Sequence, residues 1–146
     1  MSDLAKIEET SPSSDSGNLH FNRHLWVVGL WCAAILIVVI GELLPGRSPL
    51  LRWVGSFGVN DKIEHFTAYL VLAAIPALGF EPRSGVFAAL SMIALGVLLD
   101  EAQKFIPGRS FEFADIAANA VGVLTGLGIA WMTRSLLAPS RSSGRG

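Results

Sequence analysis

Charge is scarce in this chain. Only 16% of its 146 residues are charged and the formal net charge is -1, so no basic face exists to neutralise phosphates, and nucleic-acid binding is excluded. Cysteine is almost missing: the lone Cys32 excludes an intrachain disulfide and, set in an apolar run, reads as a small packed or lipid-facing residue. A cleavable secretory leader is not expected either. Residues 1–22 are polar and contain TSPSSDSG, and the apolar run behind them is too long for a leader core and has no small-residue cleavage site. That run is expected to remain as an uncleaved span.

Apolar residues fill the sequence instead. Hydrophobic side chains make up 51% of it and mean hydropathy is +0.52, which points to an integral membrane protein of one domain. The expected fold is all-α, a transmembrane four-helix bundle with short loops and disordered termini. Tails are expected at residues 1–23 and 135–146, and a membrane domain at 24–134 with spans near 25–44, 62–80, 84–103 and 113–132. About 20 apolar residues at roughly 1.5 Å rise cross roughly 30 Å of hydrocarbon, and the first span meets that length. Trp26 and Trp31 suit its near-interface start, Glu42 at its far end either snorkels to water or joins the polar cluster, with snorkelling the favoured reading, and Pro45 and Gly46 stop it. His20 and His24 read as interfacial residues with no special task. Residues 49–58, PLLRWVGSFG, are too short to span and are expected to lie in the interface over one end of the bundle.

Only EPRS, residues 81–84, separates the second and third spans, so they form an antiparallel hairpin. His65 and Asp100 are nearly equidistant in sequence from Pro82, which brings them to one depth at the end opposite the turn. Asp61, His65 and Tyr69 share one helix face, and Asp100, Gln103 and Lys104 share another. Pro76 is expected to be tolerated within the second span through its neighbours. Pro107 and Gly108 form a turn presenting Arg109, and the fourth span starts at the membrane face where the third ended. Along it Asp115, Asn119, Gly122 and Gly126 make a single stripe, polar and then glycine-lined, which is expected to face the bundle. Trp131 suits the opposite interface. Ionisable groups carried into a membrane are costly unless they face a protein interior or a watery cavity, so these polar residues form a candidate site.

The runs DKIEHFTAY, residues 61–69, and DEAQKFIPGRSFEFADIAANAVG, residues 100–122, resemble the VanZ-like family of small bacterial membrane proteins related to a teicoplanin-resistance accessory protein. The resemblance spans roughly residues 61–126 and rests on an Asp-Lys-x-x-His-x-x-x-Tyr run, a Gln and Pro-Gly-Arg, and an Asp-x-x-x-Asn-x-x-Gly. It places Asp61, Lys62, His65 and Tyr69 in the first motif and Gln103, Arg109, Asp115, Asn119 and Gly122 in the second. The family's glutamate falls on Asp100, with Glu101 beside it, so either carboxylate can take that role. The resemblance implies a four-helix membrane domain of the cell envelope linked to glycopeptide tolerance.

Three readings of the cluster stay open. In the first, Lys62 and Arg109 hold a phosphate or carboxylate while Asp100, Gln103, Asp115 and Asn119 bond sugar or peptide groups. The ligand is then an anionic or glycosylated amphiphile, such as a lipid headgroup, a lipid-linked precursor or a lipoglycopeptide. In the second, a membrane enzyme acts on a lipid-linked substrate with His65, Asp100, Glu101 and Asp115 as acid–base candidates; no Ser or Cys nucleophile has a base at motif spacing, which weighs against it. In the third, the network only fixes helix packing in a partner-binding subunit. One histidine among several carboxylates could hold a divalent metal on oxygen-rich ligands, but no HxxxH or CxxC spacing supports it, so no metal and no cofactor is expected. Setting aside Lys62, Lys104 and Arg109 in the cluster, the remaining basic residues favour cytoplasmic termini and a site on the outer face of a bacterial cytoplasmic membrane.

Overall fold

The structure, a computed structural model, describes residues 15–45, 48–49 and 60–138, with side chains from residue 22 onward. These residues are helical without strands. Four helices alternate in direction: α1 (Asp15–Leu43), α2 (Asp61–Gly79), α3 (Pro82–Gln103) and α4 (Phe113–Leu137). Residues 50–58 of the expected interfacial segment, residues 1–14 and 139–146 of the expected tails, and the His20 side chain lie outside the described residues.

Three helices are long and apolar enough to cross a membrane: Asn22–Leu43 within α1, then α3 and α4. The exception is α2, whose first turn carries Asp61, Lys62 and Glu64. It is nevertheless the helix that the other three pack around. Tyr69, Leu72, Ala73 and Ala77 of α2 meet Ala89 and Met92 of α3 and Val123 and Ala130 of α4, while Trp31, Ala34, Ile35 and Val38 of α1 cover them. Large apolar side chains such as Ile37, Phe87, Leu98, Leu124 and Trp131 cover the outside. The least lipid-compatible helix is thus shielded by the most lipid-compatible ones.

Glycines set how close the helices come. A β-carbon on Gly122 would strike the Phe66 carbonyl, and one on Gly126 the Leu70 carbonyl, so α4 lies directly on the α2 backbone as the stripe requires. A β-carbon on Gly85 would come within 2.6 Å of the Pro76 carbonyl, which brings α3 equally close. Pro76 itself lacks an N–H, leaving the Leu72 carbonyl one turn earlier without its helical donor. Trp31 Nε1 of α1 donates to that carbonyl at 2.9 Å. The indole therefore works inside the bundle, where an interfacial position had been expected, and its ring edge meets Phe80 at 5.6 Å, on which His24 also stacks.

Three boundaries depart from expectation. α1 begins at Asp15, inside the stretch expected to be tail. The turn between α2 and α3 is shorter than EPRS because Pro82 already occupies the first turn of α3, where a missing N–H costs nothing. α4 runs on to Leu137, past residue 132. Its extra turn is tied down by Arg134, whose Nε donates to the Ala77 carbonyl at 2.9 Å and whose Nη2 donates to the Leu78 and Phe80 carbonyls at the end of α2.

Candidate functional site

The polar residues converge at one end of the bundle, where α1 and α3 finish and α2 and α4 start. Asn60 caps α2, its side chain accepting from the Lys62 N–H at 2.9 Å, and this fixes the first turn, which carries Asp61 and Lys62, with His65 one turn on from Asp61. Ile106 to Arg109 form a turn closed by the Arg109 N–H on the Ile106 carbonyl at 3.2 Å, with Gly108 at φ 80°, a conformation that favours glycine. That turn returns the chain from α3 to α4.

The cluster has two layers. In the outer one the Lys62 ammonium bonds Asp115, Glu112 at 2.7 Å and, more loosely, Asp61 at 3.5 Å. Asp115 is buried, whereas Glu112 is exposed and its carboxyl is held below the ordinary value chiefly by the hydrogen bond from Lys62. The inner layer is a relay of side chains from α2, α4 and α3. His65 Nδ1 lies 3.1 Å from Asn119 Oδ1, and Asn119 Nδ2 donates to Asp100 Oδ2 at 3.2 Å. His65 and Asp100 therefore do meet at one depth, joined through an amide. Glu42 of α1 completes the layer, with Oε1 3.7 Å from His65 Nδ1. Glu42, His65, Tyr69, Asp100, Gln103 and Asn119 are all more than nine-tenths buried.

Several expected roles change. Glu42 does not snorkel; it is 8% exposed and faces the histidine. Asp100 rather than Glu101 points into the cluster, since Glu101 is exposed and pairs with Lys104 at 2.7 Å. Lys104 leaves the site as well, lying over the Phe111 ring at 4.2 Å, because α3 ends at Gln103. Among the described residues Arg109 pairs with no carboxylate: Nη2 donates to the Gly41 carbonyl at 2.8 Å and Nε to the Leu44 carbonyl at 3.3 Å, placing its charge on the carbonyls that end α1. Glu112 is the member that sequence reasoning missed, and Glu42 takes the less favoured of its two expected roles. For Glu42 a signal existed, because it lies eleven residues, about three helical turns, beyond Trp31 on the same face.

Between α1 and α2 a cleft of about 360 Å³ opens onto the inner layer. Ile37, Val38, Ile40, Leu44 and Ala68 make its walls apolar, and Glu42, Asp61, Glu64, His65 and Arg109 make one end polar. Such a shape suits a molecule with an apolar body and a polar head. Compared with known proteins, the chain matches no family model, no curated protein and no solved structure.

Proposed function

We propose that the chain is a VanZ-like integral membrane protein of the bacterial cytoplasmic membrane, with cytoplasmic termini and an outward-facing cleft that recognises a glycosylated amphiphile. The observation that carries this reading is the cleft itself, apolar along α1 and α2 and polar where it meets Glu42, Asp61, Glu64 and His65. The resemblance of residues 61–126 to the VanZ-like family and the three span-length helices support the setting.

Charge balance refines the ligand. Lys62 is taken up by three carboxylates and Arg109 by the end of α1, so neither cation is left for a bare phosphate. Hydroxyl- or amine-bearing heads, as on a lipid-linked glycan or a lipoglycopeptide, fit the acids better than an anionic headgroup does. Binding of that kind at the outer leaflet would connect the protein to glycopeptide tolerance.

Native mass spectrometry of the purified protein tests this. A retained glycolipid or lipoglycopeptide is expected, and Ala68→Phe, which fills the cleft wall, should release it while helicity stays intact. Equal retention by both proteins, or a bare wild-type chain, would refute the binding reading. A second reading, a subunit whose polar network only sets packing, draws on the internal engagement of Lys62, Arg109 and Arg134. It predicts that Ala68→Phe changes nothing but stability.

A further inference from the structure

We propose that Glu42, His65 and Asp100 form a site for one divalent transition-metal ion, Zn²⁺ or Mn²⁺, at the inner layer of the cluster. One ligand atom from each residue lies within 4.8 Å of the other two, and all three residues are buried. A tetrahedral ion bound at roughly 2.0–2.2 Å holds its ligand atoms roughly 3.3–3.6 Å apart; Glu42 Oε1 and His65 Nδ1 already stand at 3.7 Å, and drawing in the rest asks for side-chain movements of up to about an ångström.

Two further features point to a bound cation. The first is the set of orphaned polar atoms. Glu42 Oε2 and Asp100 Oδ1 are buried short of hydrogen-bond geometry, as are Gln103 Nε2 and the fully buried hydroxyl of Tyr69, which lies close enough to Glu42 to interact with its carboxyl. Buried carboxylate oxygens left unpaired are strongly unfavourable, and an ion with open positions would satisfy them together. The second is the contrast with the outer layer. Asp61, His65 and Asp115 are grouped as tightly, but Lys62 already supplies their positive charge. Among the described residues, no lysine or arginine stands within ion-pair distance of Glu42 or Asp100, and Arg109 directs its hydrogen bonds to carbonyls.

Because an amide oxygen only accepts, His65 Nδ1 donates to Asn119 Oδ1 in the ion-free site, so binding an ion at Nδ1 moves that proton to Nε2, which the Asp61 carboxylate faces at 4.0 Å and would approach to receive. Asn119 Oδ1, 3.1 Å from Nδ1, then becomes a neutral oxygen ligand or the acceptor of a bound water, while its amide still orients Asp100. One imidazole with two carboxylates suits Zn²⁺ or Mn²⁺ better than a soft ion. The residues come from four helices, which is why no local metal-binding spacing marks them in the sequence.

The experiment is metal analysis of the full chain purified in detergent, stripped with EDTA and titrated with ZnCl₂ or MnCl₂. About one ion per chain is expected, with Glu42→Gln, His65→Gln and Asp100→Asn each abolishing it, Asn119→Ala weakening it about 10–100-fold, and Glu101→Gln binding as the native chain does. Binding unchanged in Glu42→Gln and Asp100→Asn, or no ion bound by the native chain, would overturn the site. If those variants do not fold, the native chain decides alone: its unfolding temperature should fall with EDTA and return with Zn²⁺ or Mn²⁺, and an unaltered temperature overturns the proposal. Metal content is read independently of lipid retention, so the site can fail while the amphiphile reading stands.

Discussion

Trp31→Phe tests the packing of α1 on α2 most sharply, because the structure assigns the indole N–H a single partner. It donates at 2.9 Å to the Leu72 carbonyl, which Pro76 deprives of its helical donor. Phenylalanine keeps most of the ring surface and removes only the donor. An intramolecular hydrogen bond of this kind is worth about 1 kcal/mol net, and leaving a buried carbonyl unpaired adds about another, so Trp31→Phe should cost about 1–2 kcal/mol. The argument makes a further demand. In a Pro76→Ala background residue 76 regains its N–H, the helix itself satisfies Leu72, and the cost of Trp31→Phe should fall by about 1 kcal/mol. Equilibrium unfolding of the four proteins of this cycle in mixed detergent micelles measures that coupling. If Trp31→Phe costs the same with proline or alanine at residue 76, the proline-freed carbonyl is not what holds α1, and the account is wrong.

The remaining predictions concern the other contacts of α2. Gly122→Ala should destabilise by about 1–3 kcal/mol in the same assay, since the added carbon meets the Phe66 backbone rather than a side chain that can swing aside; Gly128→Ala, with open space around it, should cost little. Lys62→Met strands the buried Asp115 carboxylate and should cost about 2 kcal/mol, discounted because the lysine is about a third exposed, and adding Asp115→Asn should recover part of the loss. Lys62→Met should also move the Glu112 carboxyl upward toward the ordinary carboxylate range, followed by carbon-detected NMR titration. The sign follows from linkage: a lowered carboxyl favours the fold fully above its unfolded value, and that contribution fades as pH falls through the lowered one. Arg134→Gln should fray the end of α4, seen as faster amide exchange in residues 133–137 with the polar cluster unaffected.

Much of this was legible in the sequence because helical spacing and hydrophobic length are local properties. Four helices, the hairpin about Pro82, the stripe of Asp115, Asn119, Gly122 and Gly126, and the meeting of His65 with Asp100 all follow from counting residues along helices. What counting does not provide is the partner of a long side chain. Arg109 and Lys62 each had several anionic or carbonyl oxygens within reach, and the choice depended on where α1 ends and where Glu112 sits. The choice between Asp100 and Glu101 was likewise a matter of helix rotation, which a one-residue step of about 100° decides.

Glu42 shows how one local defect propagates to the site. Pro76 frees a carbonyl on α2, and that carbonyl selects the face of α1 that carries Trp31. Once Trp31 points inward, helical periodicity carries Ile35, Val38 and Glu42 along with it, so the carboxylate arrives beside His65 instead of in water. Burial there is tolerable only beside a group of opposite polarity, and His65, 3.7 Å away, is that neighbour. A missing N–H near the far end of α2 thereby bears on the chemistry at the other end, and supplying that N–H at residue 76 should loosen the hold that keeps Glu42 facing the cluster.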